Sequence, residues 1–139
     1  MEVICESISF FYYTILSVKI DFTTLSGNYS TSEQDTGFTW VGGQKIYKKT
    51  VNIGNPPKSS RKEVSHGVTN IDYVIRIESI LANSTRTNQV AIPFASVNNV
   101  TDNIEIAVNK QKVQVTTATD YWGNNYDTFF ATIYYTKTS

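Results

Sequence analysis

The stretch Asp120-Tyr121-Trp122-Gly123-Asn124-Asn125-Tyr126-Asp127 gathers side chains suited to one chemistry. Aromatic faces stack on the C–H surfaces of sugars, and Asn and Asp bond hydroxyls. Tyr121, Trp122, Asn124, Asn125 and Tyr126 therefore make a candidate glycan-binding loop. The same composition suits a tight loop whose Trp plugs the end of a sandwich. A second candidate is electrostatic. Residues 45–62 hold six cations and no acid, a net of +6, while residues 1–35 set Lys19 against five acids, a net of −4. Lys45, Lys48, Lys49, Arg61 and Lys62 form a candidate polyanion surface, able to meet an anionic polysaccharide or a membrane surface. The competing reading is a solvated edge strand whose lysines block edge-to-edge pairing.

Catalytic chemistry has little to stand on. His66 is the sole imidazole, and Ser65 beside it on a strand would point to the opposite face, so no Ser-His pair forms. His66 is expected in a turn or hydrogen-bonding role. Glu78 and Glu105 would act on a glycoside only at a separation of about 5–9 Å, and both sit at outward positions of alternating strands. Gly42-Gly43 lacks the following Lys-Ser/Thr of a phosphate loop. One cysteine, Cys5, allows no intrachain disulfide, and Cys5 with His66 is too little for structural zinc. The sequons at Asn28, Asn83 and Asn99 carry no weight without a secretion signal. The expectation is a non-enzymatic protein with no catalytic residue, no metal and no cofactor.

The elements that must hold these residues are strands. Among 139 residues stand 14 Ile, 13 Val, 18 Thr and 18 aromatics against 3 Leu and 6 Ala, so pleated-surface residues crowd out the best helix formers. A net charge of zero disfavours nucleic acid, whose binding rests on excess Lys and Arg. The apolar run at 8–18 is too short to span a bilayer, so no membrane insertion is expected; with Glu2 and Glu6 where a signal peptide needs positive charge, it reads as structure. Val18, Ile20 and Phe22 alternate with Lys19 and Asp21 as in a half-buried strand. Gly42-Gly43-Gln44 suits a hairpin between 38–41 and 45–53, and Asn55-Pro56-Pro57 forces a loop. Further strands are predicted at 61–68, 70–82, 89–94 (an edge or bulge, given Pro93), 103–108, 112–117 and 128–136, with 120–126 a loop. In 70–82, Ile71, Tyr73, Ile75 and Ile77 are expected on one face. About eight antiparallel strands at this spacing predict an all-β, jelly-roll-like β-sandwich over residues 28–139, with residues 1–27 as an N-terminal docking arm or extra strands.

Three stretches resemble the distal β-sandwich modules of bacteriophage tail-fibre and head-fibre proteins. The first is Tyr29-Ser30-Thr31-Ser32-Glu33-Gln34, continued by Gly37-Phe38-Thr39-Trp40-Val41-Gly42-Gly43-Gln44-Lys45-Ile46-Tyr47-Lys48-Lys49-Thr50-Val51. The second is His66-Gly67-Val68-Thr69-Asn70-Ile71-Asp72 with Ile75-Arg76-Ile77, and the third is Tyr134-Tyr135-Thr136-Lys137-Thr138. Gly42 and Tyr134 stand where the family usually has acids. The resemblance implies a virion structural protein, homotrimeric and in contact with other virion proteins, with a possible host cell-surface glycan as ligand. A carbohydrate-binding or adhesin module of a bacterial surface protein is the alternative. With no shaft ahead of the sandwich, the expectation is a mounted piece of a larger assembly, its acidic arm meeting the basic 45–62 strand of an adjacent protomer.

Overall fold

The computed structural model describes residues 29–139, so the expected arm at 1–27, with its strand at 18–22, lies outside the described residues. In chain order the strands are β1 (Gln34–Thr39), β2 (Lys45–Asn52), β3 (Arg61–Ser65), β4 (Ile71–Ala82), β5 (Gln89–Ile92), β6 (Ile104–Val108), β7 (Lys112–Thr117) and β8 (Thr128–Lys137). A 3-10 turn (Val100–Asp102) precedes β6, and a five-residue helix, α1 (Tyr121–Asn125), precedes β8. The strands form two antiparallel sheets, one in the order β1-β2-β8-β4-β5 and one in the order β3-β7-β6. The chain is thus an all-β sandwich of eight strands among the described residues. It changes sheet after β2, β3, β5 and β7, so β8 enters between β2 and β4 while β7 enters between β3 and β6. This is jelly-roll-like interleaving, with the strands divided five and three.

Alternation places the core. On β8, Phe129, Ala131, Ile133 and Tyr135 point inward and are fully buried, against Val113 and Val115 of β7 and Ile104 of β6. Leu81 and Ile71 of β4 and Val51 of β2 complete the layer. Each such side chain stabilises the fold by about 1.5–3 kcal/mol through lost apolar contact with water. Trp40 N–H donates to the Gln44 carbonyl (2.7 Å) to close the β1–β2 hairpin, whose Gly42 and Gly43 adopt φ of 89° and 84°. A side chain at either would be strained there.

Two expectations about local structure need correction. The 120–126 segment is helical at its centre rather than a plain loop. On β4, the expected face of Ile71, Tyr73, Ile75 and Ile77 is broken. The pairing runs Ile71↔Lys137, Val74↔Tyr135 and Arg76↔Tyr134, so β4 carries one extra residue in each interval. Such bulges reset the alternation. Ile71 and Val74 therefore both pack on the core, while Tyr73 stands 60 % exposed and Ile75 with Arg76 shares the outer side opposite Tyr134.

Candidate functional site

The α1 region is an end-plug. Trp122 is buried, donates from Nε1 to the Asp102 carbonyl (3.0 Å) and meets the Phe94 ring edge-on at 5.5 Å. Tyr126 is also buried, 5.4 Å from the Trp122 ring. A stacked sugar needs an open ring face, so Trp122 and Tyr126 leave the glycan-binding set, and only Tyr121, Asn124 and Asn125 remain on the surface. Asn125 Nδ2 is engaged by the Tyr121 carbonyl (2.7 Å).

The five cations of the polyanion candidate do not form one surface either. Lys45, Lys48 and Lys49 lie on β2, an interior strand of the five-stranded sheet, whereas Arg61 and Lys62 lie on β3, an edge of the other sheet. The edge-strand reading therefore applies only to the latter pair. Lys45 pairs with Asp35 (3.0 Å), Arg61 Nε donates to Thr116 Oγ1 (3.3 Å) and Lys62 Nζ to the Asn55 carbonyl (2.8 Å). Lys48 is 6 % exposed, with its ammonium 4.8 Å from the centre of the Tyr29 ring. Glu78 and Glu105 sit on different sheets, at outward positions, and so do not face one another. His66 is buried: Val68 N–H donates to Nδ1 (3.1 Å), which makes Nε2 the protonated nitrogen and the donor to the Asn109 carbonyl (3.1 Å). Both ring nitrogens serve the fold, the hydrogen-bonding role expected from sequence.

The outer face of the five-stranded sheet gathers functional groups that the sequence reading did not join. Tyr29 and Tyr134 both donate their hydroxyls to Glu78 Oε2 (3.0 Å each), and Arg76 pairs with Glu78 Oε1 (2.8 Å). The Arg76 guanidinium lies 4.2 Å from the centre of the Tyr134 ring, a cation–π distance. Hydrogen bonding with Tyr134 and with Glu78 pushes Tyr29 up to about 12; a hydrogen bond with Tyr134, aided by the charge of Glu78, raises Arg76 as well. The i, i+2 spacing of Arg76 and Glu78 already implied a shared face, but the bulges and the reach of Tyr29 across the sheet had no sequence signal. Two shallow grooves flank this cluster. One, about 320 Å³, is lined by Phe38, Ile46 and Ile75; the other, about 580 Å³, by Thr50, Ile80 and Phe130. The cluster's one carboxylate is held by an arginine and two phenols.

The three stretches behind the fibre-module resemblance meet in space. Glu33, from the first, accepts from Tyr135 Oη and pairs with Lys137, both from the third (2.5 Å each). Burial alone would push Glu33 up, but the bonds from Lys137 and Tyr135 outweigh it and hold the carboxyl below its ordinary range. Thr138 N–H donates to the Asn70 carbonyl (2.8 Å), and Gln44 Nε2 to Asp72 Oδ2 (3.0 Å), tying in the second stretch. Tyr47 and Tyr135 stack at 6.2 Å beneath this network. No family model, no curated protein and no solved structure matches the chain.

Proposed function

We propose that this protein is a non-enzymatic structural component of a bacteriophage virion, a fibre module or a capsid or tail decoration that contributes to host-surface attachment. One observation supports the reading above the others. The residues that carry the resemblance are not scattered matches but a connected set, Glu33–Tyr135–Lys137, Asn70–Thr138 and Gln44–Asp72, that joins the first strand pair, the entry to β4 and the last strand. Groups held this way define a scaffold, and attachment modules carry their binding loops on scaffolds of this kind. The proposed assembly is a homotrimer mounted on other virion proteins. The test is to locate the protein on purified particles by mass spectrometry and cryo-electron microscopy. Density for it at regular positions is expected, and its absence from particles of normal composition would overturn the proposal. A carbohydrate-binding or adhesin module is favoured instead by the exposed Tyr121 beside Asn124 and Asn125. Glycan-array binding that survives in the wild type and is lost in Tyr121→Ala, in a protein found on the bacterial surface, would select that reading.

A further inference from the structure

The pairing of β8 with both its neighbours sorts the outer face of the five-stranded sheet into rows. Phe130 stands opposite Ile80 of β4, Thr132 opposite Thr50 of β2 and Glu78 of β4, and Tyr134 opposite Lys48 and Arg76. Successive rows lie about 7 Å apart, two residues along an antiparallel strand. The groove of about 580 Å³ spans the first two rows, and Tyr29 lines it as well. Over one short step its lining changes from apolar, where Phe130 is 36 % and Ile80 43 % exposed, to hydrogen-bonding.

The hydrogen-bonding row has capacity left over. The Thr50 and Thr132 hydroxyls share one bond (2.8 Å), which uses one of their two hydrogens, and no other hydrogen bond to either hydroxyl is present among the described residues. Both line the groove, and Thr132 is 5 % exposed, so the second hydrogen calls for an acceptor there. Glu78 supplies the converse. Its Oε2 takes two phenols and its Oε1 takes Arg76, so one of about four lone-pair sites stays open on Oε1 among the described residues.

A donor beside an acceptor, one row from an apolar surface, matches a ring that carries hydroxyls. A sugar hydroxyl can accept from the threonine pair and donate to Glu78 while the C–H face of its ring lies on Phe130 and Ile80. The volume falls within the range of small-molecule sites, about 300–1,000 Å³. An anion is disfavoured by the Glu78 carboxylate. A peptide strand adds to a sheet edge, and β8 is the centre of its sheet.

We propose that this groove binds a sugar ring of an uncharged saccharide, its C–H face on Phe130 and Ile80 and a hydroxyl between the Thr50–Thr132 pair and Glu78. The proposal rests on the attachment reading for the source of the saccharide, and the two fail separately: the composition of purified particles decides that reading, and titration of the purified protein decides this one.

The probes are the methyl glycosides of glucose, galactose, mannose, N-acetylglucosamine and rhamnose, each titrated into the isotope-labelled full chain and followed by amide NMR. At least one is expected to bind with a Kd of about 1 mM and to move the amides of Thr50, Ile80, Phe130 and Thr132. Thr132→Val, which keeps the side-chain volume, and Phe130→Ala are each expected to weaken that binding by about tenfold. No shift with any glycoside up to about 50 mM would overturn the proposal. Shifts confined to Tyr121, Asn124 and Asn125 would place the sugar at α1 and overturn it, and so would equal shifts with glycerol, which has hydroxyls but no ring. Undiminished affinity in Thr132→Val would overturn it too, and this variant decides alone where Phe130→Ala fails to fold.

Discussion

Trp122→Ala separates a plug from a sugar platform, because the two roles predict opposite losses. Trp122 is 3 % exposed, and a buried Trp removes about 200 Å² from water, worth about 5 kcal/mol at 25 cal/mol/Å². Partial collapse of the site reduces that figure, and the Asp102 carbonyl orphaned by loss of Nε1 adds about 1 kcal/mol, so a loss of about 3–5 kcal/mol is expected. That is a large share of a typical domain's 5–15 kcal/mol. Tyr121, half exposed one position earlier, should lose less than about 1 kcal/mol on truncation to alanine. Urea unfolding of both variants, followed by far-ultraviolet circular dichroism, measures the two losses on the same scale. Trp40 remains in both variants as an internal fluorophore. Should Trp122→Ala unfold at the wild-type urea midpoint, the ring would not be structural and the packing account would be wrong.

Acid should weaken the junction of the three motif stretches. The folded-state pKa of Glu33 is depressed, so its contribution is present above the ordinary carboxylate range and is lost as pH falls through the folded value; Lys137→Met should blunt this loss in urea midpoints taken from pH 6 down to pH 2. Gly123→Ala would place a Cβ 2.4 Å from Lys58 Cγ and 3.1 Å from the carbonyls of Pro56 and Pro57, so a loss of about 1–3 kcal/mol is expected in chemical denaturation. Gly42→Ala meets nothing within 4 Å and should cost about 1–2 kcal/mol through its positive φ alone. Tyr29, pushed up to about 12 by its bonding with Tyr134 and Glu78, should titrate nearer 10 in the Tyr134→Phe, Glu78→Gln double variant, read by NMR with labelled tyrosine.

Much of this architecture was legible from local pattern. The strand at 128–136 was legible, but its inward set, Phe129, Ala131, Ile133 and Tyr135, was not, because Phe129-Phe130 and Tyr134-Tyr135 are apolar on both faces. Pro93 marked the edge: β5 stops at Ile92 on the outside of its sheet. Alternation failed on β4, since a bulge is a register relation between two strands and leaves no trace in one of them. The candidate sites were harder for the same reason. Trp122 and Tyr121 are neighbours of like type, and only the Phe94 and Asp102 groups brought in from elsewhere decide which is buried. Lys48 and Lys49 look equivalent in sequence, yet they leave opposite faces of β2. The Tyr29–Glu78 contact spans 49 positions and rests on sheet order, which no single segment encodes.

The position of β8 has a consequence for synthesis. It follows every other strand in the chain, yet it is the seam of the large sheet, paired to β2 over Tyr47–Asn52 and to β4 over Ile71–Ala82. Until Thr128–Lys137 has left the ribosome, β2 and β4 have no common neighbour, and the core lacks Phe129, Ala131, Ile133 and Tyr135. The large sheet therefore cannot close before β8 is made, and until then the nascent chain carries two open strand edges. A stop codon or frameshift ahead of residue 128 would not yield a slightly weaker sandwich. It would release two separate strand pairs, β1–β2 and β4–β5, as substrates for aggregation or proteolysis.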